Sequence, residues 1–179
     1  MQRNHKSAKG PEQRPIVLIG MMGVGKSTIG RRLASRLGLP FVDADEEIAA
    51  AADLSISEIF ERYGEEEFRD GERRVIARLL EQGRKVIATG GGAFMNEETR
   101  RLILSEAVAV WLDADINVLV ERVSRRDGRP LLKDKDPLVV LTELAKVRNP
   151  VYAQAPIHVK SGEGPHEMTV NRIVEALEQ

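Results

Sequence analysis

Short runs of apolar residues alternate along the chain with longer stretches in which apolar positions recur every three or four residues. The short runs are rich in β-branched residues and predict strands at residues 16–19, 41–42, 86–88, 108–112 and 157–159. The longer stretches predict helices at residues 26–37, 56–63, 65–81, 97–104, 116–123, 138–154 and 168–177. Strands that are apolar throughout and alternate with helices are typical of a parallel sheet that is covered on both faces. The pattern therefore predicts an α/β fold.

Two segments depart from this pattern. Residues 1–14 contain almost no apolar side chains and carry more basic than acidic ones, which predicts a disordered basic tail. Residues 15–179 then form a single domain, since roughly 150 residues make one domain. Residues 124–136 are dense in charge and contain a glycine and a proline, so we interpret them as a mobile loop that can close over a bound anion.

Composition narrows the classes of protein to consider. Lys and Arg total 27 against 28 Asp and Glu, and this balance argues against a non-specific nucleic-acid or membrane binder. The absence of cysteine excludes disulfides, thiolate zinc sites and cysteine nucleophiles. His5, His158 and His166 are scattered, without the spacing of metal ligands. With no long apolar run and no apolar N-terminal signal, we expect a cytoplasmic protein, and we expect it to be a monomer.

The strongest motif is the sequence GMMGVGKS at residues 20–27, which matches G-x-x-x-x-G-K-[ST] between a predicted strand and a predicted helix. Backbone N–H groups of such a loop, together with the positive helix N-terminus, surround phosphate oxygens. The segment N-K-x-D, which reads guanine in GTP-dependent switches, is absent. The motif predicts a nucleotide-phosphate site at Gly23, Val24, Gly25, Lys26, Ser27 and Thr28.

Two aspartates follow the second predicted strand. Asp43 and Asp45 are two residues apart, and the period of a strand directs both carboxylates to the same side. Adjacent like charges are unfavourable unless a metal ion, a cation or a hydroxyl group accepts them. The alternative is that Asp45 caps a helix that begins near Glu46 while Asp43 is solvated.

Two further patterns indicate a binding site. Arg69 and Glu72 are three residues apart in a predicted helix, so the carboxylate can orient the guanidinium for recognition of an anion; a solvated salt bridge is the alternative. Gly90, Gly91 and Gly92 follow the third strand, at the sheet edge where ligands bind in α/β proteins. Three glycines predict a close approach of backbone N–H groups to a ligand, although a flexible turn is also possible.

The motifs GMMGVGKS, DAD, FR, GGG and RPLL occur in this order, and in this respect the sequence resembles the shikimate kinases over residues 15–156. The resemblance implies a P-loop NTPase fold of the nucleoside monophosphate kinase-like type. Such a fold has a five-stranded parallel sheet flanked by helices, a lid, here at about 124–136, and a substrate-binding lobe, here at about 45–80. It also implies transfer of the γ-phosphoryl group of ATP to the 3-hydroxyl of shikimate, a step in aromatic amino acid biosynthesis.

The resemblance implies roles for the residues on the nucleotide side. Lys26 corresponds to the lysine that binds the phosphates, and Ser27 and Asp43 to the residues that hold Mg²⁺. Arg129, in the RPLL motif, corresponds to the lid arginine that reaches the transferring phosphate. Arg122 corresponds to a residue near the adenine. Lys26 and Arg129 are therefore expected to be catalytic.

On the acceptor side, Asp45 corresponds to the carboxylate that binds the acceptor hydroxyls and accepts the 3-hydroxyl proton, a catalytic role for which an ordinary carboxylate pKa is sufficient. Arg69 and Arg148 correspond to the two guanidinium groups that bind the shikimate carboxylate. The glycines at 90–92 correspond to the backbone wall of that pocket. The expected ligands are thus ATP, shikimate and Mg²⁺.

Two positions depart from the family pattern. Asp53 stands where a glycine is usual, and we expect it to adopt the left-handed conformation that aspartate tolerates better than most residues. Gly71 lies inside the helix that carries Arg69 and is expected to lower its stability by roughly 0.5–1 kcal/mol.

Two other functions remain open from the sequence. The acceptor of the kinase can be another hydroxylated acid, such as gluconate or an amino analogue of shikimate, although the DAD, FR and RPLL motifs speak against gluconate. The chain can also be a nucleotide-binding module without transfer activity, against which the presence of Lys26, Asp45, Arg69, Arg129 and Arg148 argues.

Overall fold

Five parallel strands form the sheet that the apolar runs predict. The computed structural model describes residues 9–125, 132, 134–162 and 164–179. The strands are β1 (Ile16–Ile19), β2 (Phe41–Asp43), β3 (Val86–Ala88), β4 (Val108–Asp113) and β5 (Ile157–Lys160), in the order β2-β3-β1-β4-β5. Every residue of β1 and of β3 is buried, which agrees with the prediction of a sheet covered on both faces.

Helices connect consecutive strands, as parallel pairing requires. In the described residues they are α1 (Lys26–Leu37), α2 (Ala44–Ala52), α3 (Ile56–Glu81), α4 (Glu97–Glu106), α5 (Ile116–Ser124), α6 (Pro137–Tyr152) and α7 (His166–Leu177). Short 3₁₀ turns lie at Pro11–Gln13 and Ala93–Met95. No helix within the described ranges combines the length and the apolar character needed to cross a membrane.

The register of the sheet brings the predicted motifs together. Leu18 of β1 and Asp43 of β2 both pair with Ala88 of β3, so these three strands end at the same level. The GMMGVGKS loop leaves β1, α2 leaves β2 and the glycines at 90–92 leave β3. All three segments therefore meet at the carboxyl edge of the sheet, where α/β folds bind ligands.

The structure corrects the interpretation of the two aspartates. Asp43 is the last residue of β2 and the N-cap of α2, and its carboxylate accepts hydrogen bonds from the backbone N–H groups of Asp45, at 2.9 Å, and of Glu46, at 3.4 Å. Asp45 thus lies in the first turn of a helix, so the prediction that a strand directs both carboxylates to one side is wrong. The alternative, with Asp45 as the cap, is also wrong. A strong cap followed by an alanine-rich segment favours helix over strand here.

The two departures from the family pattern fit the fold. Asp53 closes α2 in the left-handed conformation, with φ 52° and ψ 37°, as predicted. Gly71 lies inside α3. Residues 56–63 and 65–81, predicted as separate helices, form one helix with a kink at Gly64, where φ is 80° and ψ is 174°. A side chain adopts that conformation only with strain, which explains why a glycine stands at the kink.

Two predicted segments fall largely or partly outside the described residues. Of the predicted lid at 124–136, residues 126–131 and 133 are not described, and Arg129 is among them. Of the predicted tail at 1–14, the described part begins at residue 9, and the guanidinium of Arg14 donates a hydrogen bond to the carbonyl of Lys9 at 3.1 Å. Both the lid and the tail stay predictions.

Gly71 and Gly64 give a matched test of the energetics of α3. A Cβ atom added at either position would meet no atom within 4 Å, but only Gly64 has a positive φ. We expect Gly71→Ala to raise the free energy of unfolding by roughly 0.5–1 kcal/mol, because alanine favours the helix and restricts the unfolded chain. Gly64→Ala is expected to lower it. Urea denaturation of the two variants measures both changes, and equal shifts of the same sign would contradict the assignment of the kink.

Candidate active site

A cavity of about 410 Å³ opens at the carboxyl edge of the sheet. It runs from the N-terminus of α1 to the end of β3. Most of the residues predicted for the site line it: Gly23, Gly25, Lys26, Ser27, Thr28, Asp43, Asp45, Gly90, Gly91 and Arg122. Val24 is fully buried in the core, so only its backbone can contribute to binding.

The side chain of Lys26 crosses the glycine-rich loop and contacts its first residues. Gly25 has φ 96° and ψ 28° and ends the loop where α1 begins at Lys26. The Lys26 ammonium donates hydrogen bonds to the carbonyls of Gly20, at 2.7 Å, and Met21, at 3.1 Å. The ammonium therefore lies across the loop, beside the N-terminus of α1. The helix N-terminus and the ammonium together form a site for phosphate oxygens.

Ser27 and Asp43 form the part of the cavity that can hold a magnesium ion. The Ser27 hydroxyl donates to one carboxylate oxygen of Asp43 at 2.7 Å, while the other oxygen caps α2. No group of three or more acidic or histidine side chains suited to a metal lies within the described residues. Magnesium commonly takes only one or two protein ligands and completes its shell with water and substrate phosphates. The Ser27 and Asp43 pair beside a phosphate loop fits that requirement.

Arg122 connects the loop to the opposite wall of the cavity. Its guanidinium donates to the carbonyls of Gly23, at 3.2 Å, and Val24, at 3.1 Å, and also to the carbonyl of Gly162, at 3.2 Å. His166, the first residue of α7, lies beside it, and burial together with the nearby Arg122 lowers the pKa of this imidazole. The residue predicted to lie near the adenine is thus at the α7 end of the cavity.

Each of the three glycines after β3 faces one charged side chain. A Cβ atom added to Gly90 would lie 3.0 Å from a carboxylate oxygen of Asp45. One added to Gly91 would lie 2.8 Å from Nη1 of Arg148, and one added to Gly92 would lie 2.8 Å from Cζ of Arg69. Real Cβ atoms essentially never approach other atoms to less than 3.0 Å, so a side chain at Gly91 or Gly92 would displace the guanidinium, and one at Gly90 would make an unusually tight contact with Asp45. The glycines therefore leave space for an aspartate and two arginines. The sequence by itself indicates only a close approach of the backbone to a ligand.

Arg69 is oriented by a buried carboxylate, as the sequence predicted. Its guanidinium donates to Glu72 at 2.8 Å, and the Glu72 side chain is 1% exposed, whereas the second partner, Glu65 at 3.8 Å, is 72% exposed. Burial raises the pKa of Glu72 to about 6 although Arg69 opposes the shift. The alternative of a solvated salt bridge is therefore wrong for the Arg69–Glu72 pair.

Asp45 and Arg148 complete this end of the site. Burial and the neighbouring Asp43 raise the pKa of Asp45, against the opposing charges of Lys26 and Arg69. Its carboxyl is thus a stronger proton acceptor than the ordinary carboxylate that the sequence suggested. Arg148 is only 8% exposed. No carboxylate in the described ranges forms a salt bridge with it, and a buried cation of this kind favours an anionic ligand.

Four residues that the sequence did not single out as binding residues also line the cavity: Met22, Thr89, Arg125 and His166. Met22 lies inside the GMMGVGKS motif and Thr89 directly precedes Gly90. These positions next to predicted binding residues could have indicated both. Arg125 lies in the segment 124–136, which was predicted to close over a bound anion, and its charge there was the available signal. His166 had no such signal, because it comes from a chain segment far from the motifs and was considered only as a metal ligand.

The raised pKa of Glu72 predicts a pH effect on stability. An acid that binds its proton more tightly in the folded state loses stability as the pH rises from its unfolded pKa to its folded pKa. Between pH 4.5 and pH 6 we expect the wild type to lose about 1.3 kcal/mol of unfolding free energy that Glu72→Gln does not lose. Denaturant titrations across this range measure the difference. Glu65→Gln, at an exposed partner of the same arginine, is the control, and parallel curves for Glu72→Gln and wild type would contradict the shift.

Comparisons with known proteins identify the family of this chain. A model of the shikimate kinase family matches residues 22–178. The shikimate kinase of Caulobacter vibrioides is 62% identical over 164 residues, which cover 92% of this chain and 82% of that protein. The shikimate kinase of Novosphingobium aromaticivorans is 60% identical over 170 residues, which cover 93% and 88%.

A solved structure gives the same result in three dimensions. The shikimate kinase from Acinetobacter baumannii in complex with shikimate has a TM-score of 0.89 to this chain, with 33% sequence identity. The similarity covers 94% of each chain. With its five-stranded parallel sheet, its phosphate loop and the family match over most of its length, this chain belongs to the shikimate kinase family.

Proposed function

We propose that this protein transfers the γ-phosphoryl group of ATP to the 3-hydroxyl of shikimate and releases shikimate 3-phosphate and ADP. The observation that carries the proposal is the glycine segment after β3, where Asp45, Arg148 and Arg69 each occupy the space next to one glycine. Asp45, Gly90 and Gly91 line the cavity, whereas Arg69, Arg148 and Gly92 are not among its lining residues. The two guanidinium groups lie next to that lining, against Gly92 and Gly91.

The charges at this end are complementary to shikimate, which has one carboxylate and three hydroxyls. Arg69 and Arg148 supply the two guanidinium groups that bind a carboxylate. Asp45 is an acceptor for hydroxyl groups, and the charges of both Lys26 and Arg69 act on its carboxylate, which is consistent with a substrate hydroxyl directed at the phosphate loop. The similar protein from Acinetobacter baumannii, described in complex with shikimate, supports this choice of acceptor.

The nucleotide half of the cavity supplies the remaining binding groups. Backbone N–H groups from Gly23 to Thr28 and the Lys26 ammonium bind the phosphates, and Arg122 lies at the end where the base is expected. Ser27 and Asp43 would hold Mg²⁺, and the ion would supply positive charge that neutralises the phosphates.

In the transfer step, the 3-hydroxyl oxygen forms a bond to the γ-phosphorus as the bond to the β,γ-bridging oxygen breaks, and ADP leaves with that electron pair. Asp45 accepts the hydroxyl proton, and its raised pKa suits this role. Lys26 neutralises charge that moves to the phosphate oxygens. Positioning and charge stabilisation supply most of the rate enhancement in phosphoryl transfer.

Several parts of the proposal rest on the sequence. Arg129 would add a further positive charge at the transferring phosphate, a contribution that can reach ~10³ in rate. The lid at 124–136 would close over both substrates, and the lobe at 45–80, which contains α2 and α3, would bind the acceptor. A monomeric, cytoplasmic enzyme also stays a prediction.

The first test is whether ATP consumption by the purified protein depends on shikimate, with gluconate and an amino analogue of shikimate as competing acceptors. We expect Arg69→Ala to raise the KM for shikimate by roughly 10–100-fold while the KM for ATP stays near its wild-type value, since a charged hydrogen bond contributes about 1.5–3 kcal/mol. Arg73→Ala, one turn along α3 and paired with Asp70 and Glu98, is the control. Shikimate-independent ATP consumption would refute the proposed acceptor.

The second test changes the wall and leaves every charged residue in place. Gly92 has φ −91° and ψ −10°, which alanine adopts without strain, so Gly92→Ala should fold with a Tm close to the wild type. Its Cβ would force the Arg69 guanidinium to move, and we expect the KM for shikimate to rise by about tenfold or more with an unchanged KM for ATP. Steady-state kinetics with each substrate varied measure both values, and Gly71→Ala on the helix of Arg69 is the control.

A further inference from the structure

The last residue of α6 carries a hydroxyl group in an otherwise apolar position. Tyr152 is fully buried, and its ring lies 5.9 Å from that of Trp111. Phenylalanine would fill the same volume, so packing alone does not explain a tyrosine here. The hydroxyl donates a hydrogen bond to the carbonyl of Gly91, the central glycine of the wall. It thus links α6 directly to the segment that closes the acceptor end of the cavity.

The same hydroxyl and the Arg148 guanidinium both lie at Gly91. Residues four apart on a helix lie on one face, so Arg148 and Tyr152 of α6 both face Gly91. Burial raises the pKa of Tyr152 to about 12, while the nearby Arg148 side chain opposes that rise. The phenol is protonated at neutral pH and donates a hydrogen bond to the Gly91 carbonyl, and the Arg148 guanidinium lies beside the same glycine.

Arg148 has few other constraints on its position. Arg69 is held by the buried carboxylate of Glu72, but no acidic side chain in the described part of the chain forms a salt bridge with Arg148. Its guanidinium occupies the space beside Gly91, at 2.8 Å from the position of an added Cβ. An arginine side chain has several rotatable bonds, and restricting them before a ligand binds improves affinity. The neutral Tyr152 hydroxyl would thus restrict Arg148 as the Glu72 carboxylate restricts Arg69.

We propose that Tyr152 is a positioning residue that holds Arg148 and the Gly91 backbone together as one preformed half of the acceptor carboxylate site. This inference rests on the proposed function for its kinetic consequence, but the geometry that it assigns does not depend on the identity of the acceptor. Tyr152 does not touch the substrate; it acts through Arg148 and Gly91. Its loss should therefore weaken acceptor binding and leave nucleotide binding unchanged.

The direct test is Tyr152→Phe, which removes the hydroxyl and keeps the ring. We expect the KM for shikimate to rise by about tenfold, with the KM for ATP and the kcat within about twofold of the wild type. Trp111→Phe is the control, because it changes the packing against the Tyr152 ring and leaves the Tyr152 hydroxyl and its hydrogen bond to Gly91 in place. It should lower the Tm without changing the KM for shikimate. An unchanged KM for shikimate in Tyr152→Phe would overturn the inference.

A double-mutant cycle separates positioning from a general loss of packing. If the hydroxyl acts through Arg148, Tyr152→Phe should raise the KM for shikimate much less in an Arg148→Ala background than in the wild type. Equal effects in both backgrounds would mean that Tyr152 acts by another route, and would overturn the proposal.

Two measurements remain decisive whatever the acceptor is. In ligand-free crystals, Tyr152→Phe should displace the Arg148 guanidinium from Gly91, and an unmoved guanidinium would refute the inference. Should that variant not fold, the wild-type hydroxyl proton can be observed by NMR: a slowly exchanging resonance near the Arg148 side chain is expected, and a rapidly exchanging one would contradict the assignment. Failure of shikimate to stimulate ATP consumption would refute the proposed function alone.

Discussion

Three charged side chains lie against a stretch of backbone that has no Cβ atoms, and this contact determines the shape of the acceptor end of the cavity. Asp45 comes from α2, Arg69 from α3 and Arg148 from α6, so three separate elements converge on residues 90–92. Any side chain on that segment would push one of the charged groups away. The three charged groups thus occupy the space that side chains at residues 90–92 would need.

The same convergence places several charges in a small, poorly solvated volume. Burial of a charge is costly unless another charge or a hydrogen bond compensates. Glu72 compensates Arg69, the Tyr152 hydroxyl lies near Arg148, and Asp45 lies near both Lys26 and Arg69. The raised pKa values of Asp45 and Glu72 indicate that the nearby cations offset only part of the cost of burying these two carboxylates, whereas Arg148 has no salt-bridge partner among the described residues. A bound carboxylate would supply the missing negative charge next to Arg148.

One carboxylate connects the two halves of the cavity. Asp43 caps α2 with one oxygen, which fixes Asp45 in the first turn of that helix, and accepts from Ser27 of the phosphate loop with the other. The Asp43 side chain thereby fixes the position of Asp45 relative to the phosphate loop. This rigidity favours phosphoryl transfer, in which the protein contributes chiefly by positioning the reacting groups.

The sequence by itself determined the strands, most of the helices and the phosphate loop, because apolar periodicity and the G-x-x-x-x-G-K-[ST] pattern are local signals. It also determined the Arg69–Glu72 pair, since a spacing of three in a helix is sufficient to bring the groups together. It predicted the wrong structure after Asp43, because the pattern did not show that Asp43 ends the strand and caps a helix. Only the tertiary structure decided that His166 lines the cavity, that Gly91 contacts both Arg148 and Tyr152, and that each glycine faces a particular charge. These contacts join residues far apart in sequence, and no local pattern encodes which distant side chain fills a given space.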